Sequence, residues 1–169
     1  MNTGRISAVL DAISVRVGEA VAWLALLMVA ITFAIVVMRY MFGAGLIWMQ
    51  QTLTWMHGVV FMLGAAYTLQ ADEHVRIDIF YRSMSDRRRA WINLLGVLLF
   101  IFPFCGYLFY VSTGYVSAAW AIGEISRDAG GLPYPAIPLL KSTLLLMPLA
   151  VSLQGLSILL QSLKRLRRG

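Results

Sequence analysis

Charge is what this sequence has least of. Asp, Glu, Lys and Arg make up 13% of its 169 residues, about half the share usual in soluble domains. A single cysteine, Cys105, rules out an internal disulfide and reads as a small apolar residue. The acidic residues number eight: Asp11, Glu19, Asp72, Glu73, Asp78, Asp86, Glu124 and Asp128. None lies well inside an apolar run, whereas ion-coupled carriers place ionisable groups within the membrane to hold their coupling ion. The chain has no glycine-rich phosphate loop and no cluster with metal-ligand spacing. These absences argue against an enzyme, a cofactor site, a metal centre or a self-sufficient carrier.

Apolar residues are what remains. They form 60% of the chain, and the mean hydropathy is +0.76. A helix crossing a bilayer needs about 20 mostly apolar residues. Four segments meet that requirement: Ala20–Met38, Trp48–Leu69, Trp91–Tyr110 and Ile137–Leu163. The first is too long for a cleavable signal core and lacks a small-residue cleavage site. The pattern predicts an all-α membrane protein of four transmembrane helices, forming one domain over residues 1–169. Upstream, Ile6, Val9, Leu10, Ile13 and Val17 recur at helical spacing. They predict a short amphipathic helix, lying on the membrane surface or leading into the first span.

Basic residues give the orientation. Eleven of the fourteen (Arg5, Arg16, Arg76, Arg82, Arg87, Arg88, Arg89, Lys164, Arg165, Arg167 and Arg168) fall on one side of the four-span topology. Arg39, Arg127 and Lys141 fall at or near the other. The positive-inside rule then predicts cytoplasmic N- and C-termini. The basic tail is expected to meet anionic lipid headgroups, and its shortness argues against nucleic acid.

Within the second span, Gln50, Thr54, His57, Gly64 and Thr68 share one helical stripe, with Phe61 its large apolar member. Small and hydrogen-bonding residues mark packed faces in lipid, so this stripe is expected to contact protein. Met49, Met56, Val60, Leu63 and Tyr67 form another face, expected to meet lipid. His57 reads as a hydrogen-bonded packing residue. Its only fellow histidine, His74, lies beyond the end of the same span, so one chain cannot supply a bis-histidine haem. Lys141, in the first turn of the fourth span, is expected to snorkel. Pro103 and Pro148 predict kinks in the third and fourth spans.

The densest charge sits in ADEHVRIDIFY, residues 71–81. A helix there pairs Asp72 with Arg76, His74 with Asp78 and Asp78 with Arg82 at i,i+4. The physical reading is a salt-bridged helix foot at the membrane surface.

The longer stretch FMLGAAYTLQADEHVRIDIFY resembles the signature of the small, DctQ-type membrane subunit of tripartite ATP-independent periplasmic (TRAP) transporters. A Gly-Ala-Ala run, here Gly64, Ala65 and Ala66, precedes a His-Val-Arg-Ile-Asp element, here His74 to Asp78. The similarity continues through DRRRAWINLLG and GEISRDAGGLPYPAIPLLKS to LQGLSILL, over roughly residues 15–163. The Gly130-Gly131-Leu132-Pro133 element with Lys141 looks like the branch serving carboxylate-type and mannitol/chloroaromatic-type systems. The resemblance implies a bacterial inner-membrane scaffold without cofactor. It braces a large DctM-type elevator subunit that imports a small organic solute, a carboxylate by this branch, on a sodium gradient. A soluble DctP-type periplasmic protein captures the solute. It makes His74, Arg76, Asp78, Gln50, Thr54, His57, Gly64 and Lys141 candidates for structural or partner contacts. Where relatives commonly carry acids at the start of the second span, this chain has Gln50, Gln51, Thr52 and Thr54, so neutral hydrogen bonds must serve there. A competing reading is a four-helix anchor for a redox or signalling complex.

Overall fold

The computed structural model describes residues 3–71 and 84–168. The segment carrying His74, Arg76 and Asp78, and with it the expected helix foot, lies outside the described residues. Within them every regular element is a helix, with no strand. Helix α1 covers Thr3–Phe42 and α2 covers Ile47–Gln70. Helix α3, Asp86–Gly96, continues through a π-wound turn, Val97–Ile101, into α4, Phe102–Ala121. Helix α5 covers Ala136–Arg168. These make four helices long and apolar enough to cross a membrane, as the sequence predicts, and this is a multi-pass membrane protein. The amphipathic start of the chain is no separate element: it runs without interruption into the first span.

Two left-handed glycines end helices where the chain must reverse. Gly43 takes φ +63° after α1, and the Ala44 N–H folds back onto the Met38 carbonyl at 3.0 Å. The reversal leaves only four residues before α2, so the two helices form a hairpin. Gly123, at φ +59°, follows α4. There the Gly123 N–H donates to the Trp120 carbonyl at 3.2 Å and the Glu124 N–H to the Ala119 carbonyl at 3.0 Å. That crossed pair satisfies carbonyls that a helix terminus otherwise leaves unpartnered.

Helix α5 is the hub. It touches α1 and α2 on one flank and α3, the π turn and α4 on the other. The start of α1 packs on the end of α5, so both termini sit at one end of the bundle, the terminal end. The Gly43–Leu46 turn and the connection from α4 to α5 sit at the other, the loop end. Hydrophobicity cannot draw helices together in lipid, so close approach and hydrogen bonding must. The buried positions fit that rule. Ser7, Ser14, Ser112, Thr143, Gln154, Ser157 and Ser162 are buried, while Trp23, Phe33, Phe100 and Tyr110 are each about 70% or more exposed.

The expected kink in the third span takes the form of the π turn. Pro103 has no N–H to give and its ring collides with the preceding turn of a regular helix. Just before it, the Phe102 N–H reaches back five residues to the Val97 carbonyl, a widened turn that accommodates the ring. Gly155 of α5 faces this turn. A Cβ there would lie 3.2 Å from Ile101 Cγ2 and 3.4 Å from Val97 Cγ1 and Phe102 Cε1. A larger residue at 155 must push the seam apart. Gly155→Leu is expected to cost about 1–3 kcal/mol by overpacking, read as a lower melting temperature in detergent. Gly106→Ala, which has open space around the added Cβ, should be neutral or better. Equal melting temperatures for the two variants would refute the seam.

Candidate functional site

Three polar features organise the bundle, and two of them join helices far apart in sequence. At the terminal end, Asp11 of α1 accepts three hydrogen bonds from α5. Gln154 Nε2 donates at 2.9 Å, Ser157 Oγ at 2.7 Å and Gln161 Nε2 at 2.9 Å. Ser14 Oγ donates to Gln154 Oε1 at 2.7 Å. Ser7, Asp11 and Ser14 follow an i, i+4, i+7 pattern and Gln154, Ser157 and Gln161 follow i, i+3, i+7. Each set therefore forms one stripe, and the two stripes face each other. Sequence reasoning treated Asp11 as one of several acids outside the spans. The matched polar spacing on the first and last helices was the signal available for this network.

At the loop end, Gln51 of α2 clamps the connection between α4 and α5. Its Nε2 donates to Ser126 Oγ at 2.6 Å and to Asp128 Oδ2 at 2.8 Å, and its Oε1 accepts from the Leu132 N–H at 2.8 Å. Gly131 makes the approach feasible: a Cβ there would fall 2.3 Å from Ser126 Oγ and 2.7 Å from Gln51 Oε1. Trp55 Nε1 adds a bond to the Ala136 carbonyl at 2.9 Å. The neutral start of the second span thus does hold its neighbour through uncharged donors. A carboxylate at 51 could donate nothing and would face Asp128.

Lys141 is the third feature. Its ammonium has a partner at the loop end. It forms an ion pair with Glu124 at 2.5 Å and lies 4.0 Å from the centroid of the Tyr115 ring. Trp120 Nε1 donates to Ser142 Oγ at 3.0 Å, and its ring meets Tyr134 edge to face at 6.2 Å. Glu124 sits just past Gly123, so the glycine turn that ends α4 delivers the acid to the base.

The α2 stripe behaves differently. Thr54, His57 and Phe61 are exposed, and Gln50, Gly64 and Thr68 are half-buried. Thr54 and Thr68 hydroxyls bond back to their own helix, at the Gln50 and Gly64 carbonyls. His57 and Thr32 line one groove between α1 and α2, and Gly64 lines its continuation with Gly18 and Ala22. The nearest atom to a Cβ on Gly64 is Val21 Cγ1 at 3.9 Å, an ordinary contact. Phe61 and Thr68 line that continuation too, so this side of α2 borders α1 while Thr54, His57 and Phe61 stay exposed. The face assigned to lipid is also corrected. Met56 is buried, as are Val59 and Ala66. Tyr67 packs over Gly18, whose added Cβ would sit 2.3 Å from the ring.

Two outcomes test these contacts. Asp11→Leu strands three donors, each worth about 1–3 kcal/mol when left unsatisfied. It should lower thermal stability markedly, and Asp11→Asn, which keeps one acceptor, should fall between. Gln51→Glu should release the loop so that trypsin cleaves after Arg127 severalfold faster. An unaltered cleavage rate would show that the clamp does not tether it.

Among known families, the one described as "Tripartite ATP-independent periplasmic transporters, DctQ component" matches residues 28–168 of the chain. Comparison with curated proteins and with solved structures gave no match.

Proposed function

The chain belongs to the DctQ component family of the tripartite ATP-independent periplasmic transporters, and on that premise we propose that it is the scaffold on which the large subunit of such a transporter moves. It resides in the bacterial inner membrane with both termini in the cytoplasm. It braces a DctM-type subunit, which carries a small organic solute, a carboxylate by the Gly130–Pro133 and Lys141 resemblance, on a sodium gradient. A DctP-type periplasmic protein delivers the solute.

One observation carries this reading. The polar groups that enter the bundle are spent on holding it together: Asp11 on three donors of α5, Gln51 on the loop and Lys141 on Glu124. A carrier needs ionisable groups free to exchange partners with its cargo. A brace needs them fixed. The outward groove of α1 and α2, with His57 and Gly64 on its wall, is the surface such a brace would offer its neighbour. His74, Arg76 and Asp78 would support the same contact from the segment that follows α2.

Reconstitution tests the division of labour. Vesicles with this chain alone should take up no solute under a sodium gradient. Vesicles with both membrane subunits and the binding protein should. Uptake by the small chain alone would sink the scaffold reading. Orientation is read separately. Reporters fused after Arg89 and after Gly169 should signal cytoplasm, and one at Gly130 should signal periplasm.

A further inference from the structure

Charge is spread unevenly over the described residues of the bundle. At the loop end exposed Arg39 and Arg127 stand against exposed Asp128, and Lys141 is spent on Glu124. At the terminal end α3 and α5 alone expose five cations, Arg87, Arg88, Lys164, Arg165 and Arg167, against one exposed acid, Asp86. Like charges gathered on one surface repel one another and attract an anion.

The α3–α5 seam decides which of these cations share a site. A Cβ on Gly155 would lie 3.4 Å from Val97 Cγ1, and the two helices run antiparallel with equal rise per residue. Counting back from that contact sets Ala90 level with Ser162 and Arg87 level with Arg165. Ala90 and Ser162 are 0% and 3% exposed, as facing residues of a seam should be. At about 100° per residue, Arg87, Arg88, Trp91 and Leu95 lie about 60–160° round α3 from Ala90. Leu156, Leu163 and Arg167 lie about 80–120° round α5 from Gly155. In antiparallel helices the same sense of rotation leads to the same side. The two sets therefore flank one groove along the seam. Its apolar walls, Trp91 and Leu95 against Leu156 and Leu163, are all exposed. They belong to helices long and apolar enough to cross a membrane, and the arginines stand where those helices leave it.

We propose that this groove binds an anionic phospholipid. Arg87, Arg88 and Arg167 hold the headgroup phosphate, and an acyl chain lies between the tryptophan–leucine wall and the leucine wall. An acidic protein segment would answer the charge and leave the apolar walls unexplained. A phospholipid answers both, with its negative head and apolar tail in the order the groove presents. Basic pockets between helices at a membrane surface hold anionic headgroups in this way, and the fork of arginine pairs with two phosphate oxygens at once. The proposal goes beyond the scaffold reading and does not depend on it.

The test uses the full chain, delipidated in detergent. Phosphatidylglycerol should raise its melting temperature, as a ligand of the folded state does, and native mass spectrometry should show it bound. Phosphatidylcholine should do neither. Arg87→Ala, Arg88→Ala and Arg167→Ala together should weaken phosphatidylglycerol binding about a hundredfold, the effect of three surface cations. Without lipid this variant should melt with the wild type, because the three side chains are exposed. Lysine at the same three positions keeps the charge and should keep the binding. Arg39→Ala with Arg127→Ala, at the loop end, should leave it unchanged. Glycerol phosphate, a headgroup without tails, should not stabilise the chain. Equal binding of the two phospholipids, full binding by the alanine variant, or equal stabilisation by glycerol phosphate overturns the site. An alanine variant that binds the lipid normally but loses the large subunit from the complete transporter also overturns it, and makes the cluster a protein contact.

Discussion

Everything in this fold depends on α5 presenting hydrogen-bonding and small residues to every neighbour at once. In water, four apolar helices would collapse together unaided. In lipid they gain nothing by leaving one face of hydrocarbon for another. The hub answers with Gln154, Ser157 and Gln161 toward α1, and with Gly155 toward the π turn. Ser142 takes the indole N–H of Trp120, and Lys141 takes Glu124. Large apolar side chains are mostly sent outward. The result is a bundle whose specificity lies in a few polar atoms and whose bulk is solvated by its surroundings.

The two ends of the hub do different things. At the loop end, glycines at 123 and 131 let the chain fold tightly enough for Glu124 and Ser126 to reach their partners. The long connection that results is anchored at several points to α2 and α5. At the terminal end the helices themselves lengthen, and α1 and α5 run on together past the span that either needs. The bundle is thus tied at both ends, by side chains at one and by the connecting loop at the other.

The spans were legible in the sequence because hydropathy over 20 residues is a strong, local signal. Gly64 and His57 share one stripe that borders the groove with α1, yet the residues that α2 buries are Met56, Val59 and Ala66. A helical wheel reports which residues share a side and says nothing of which neighbour that side meets. In a membrane protein the apolar and buried faces need not differ in composition. The Asp11 network was missed for a related reason. Its two halves stand 140 to 150 residues apart, and each alone is an unremarked polar stripe. The partner of Lys141 was not legible either, because Glu124 is delivered by a turn whose geometry only Gly123 signalled.

That separation also bears on how the protein is made. Gln161 leaves the ribosome 150 residues after Asp11. At about 5–20 residues per second, on the order of ten to thirty seconds pass between them. During that interval the α1–α2 hairpin sits in the membrane with its carboxylate unmet by α5. A chain truncated before Gln154 keeps that unmet charge permanently, which sets incomplete products apart from finished ones for any protease that surveys the bilayer.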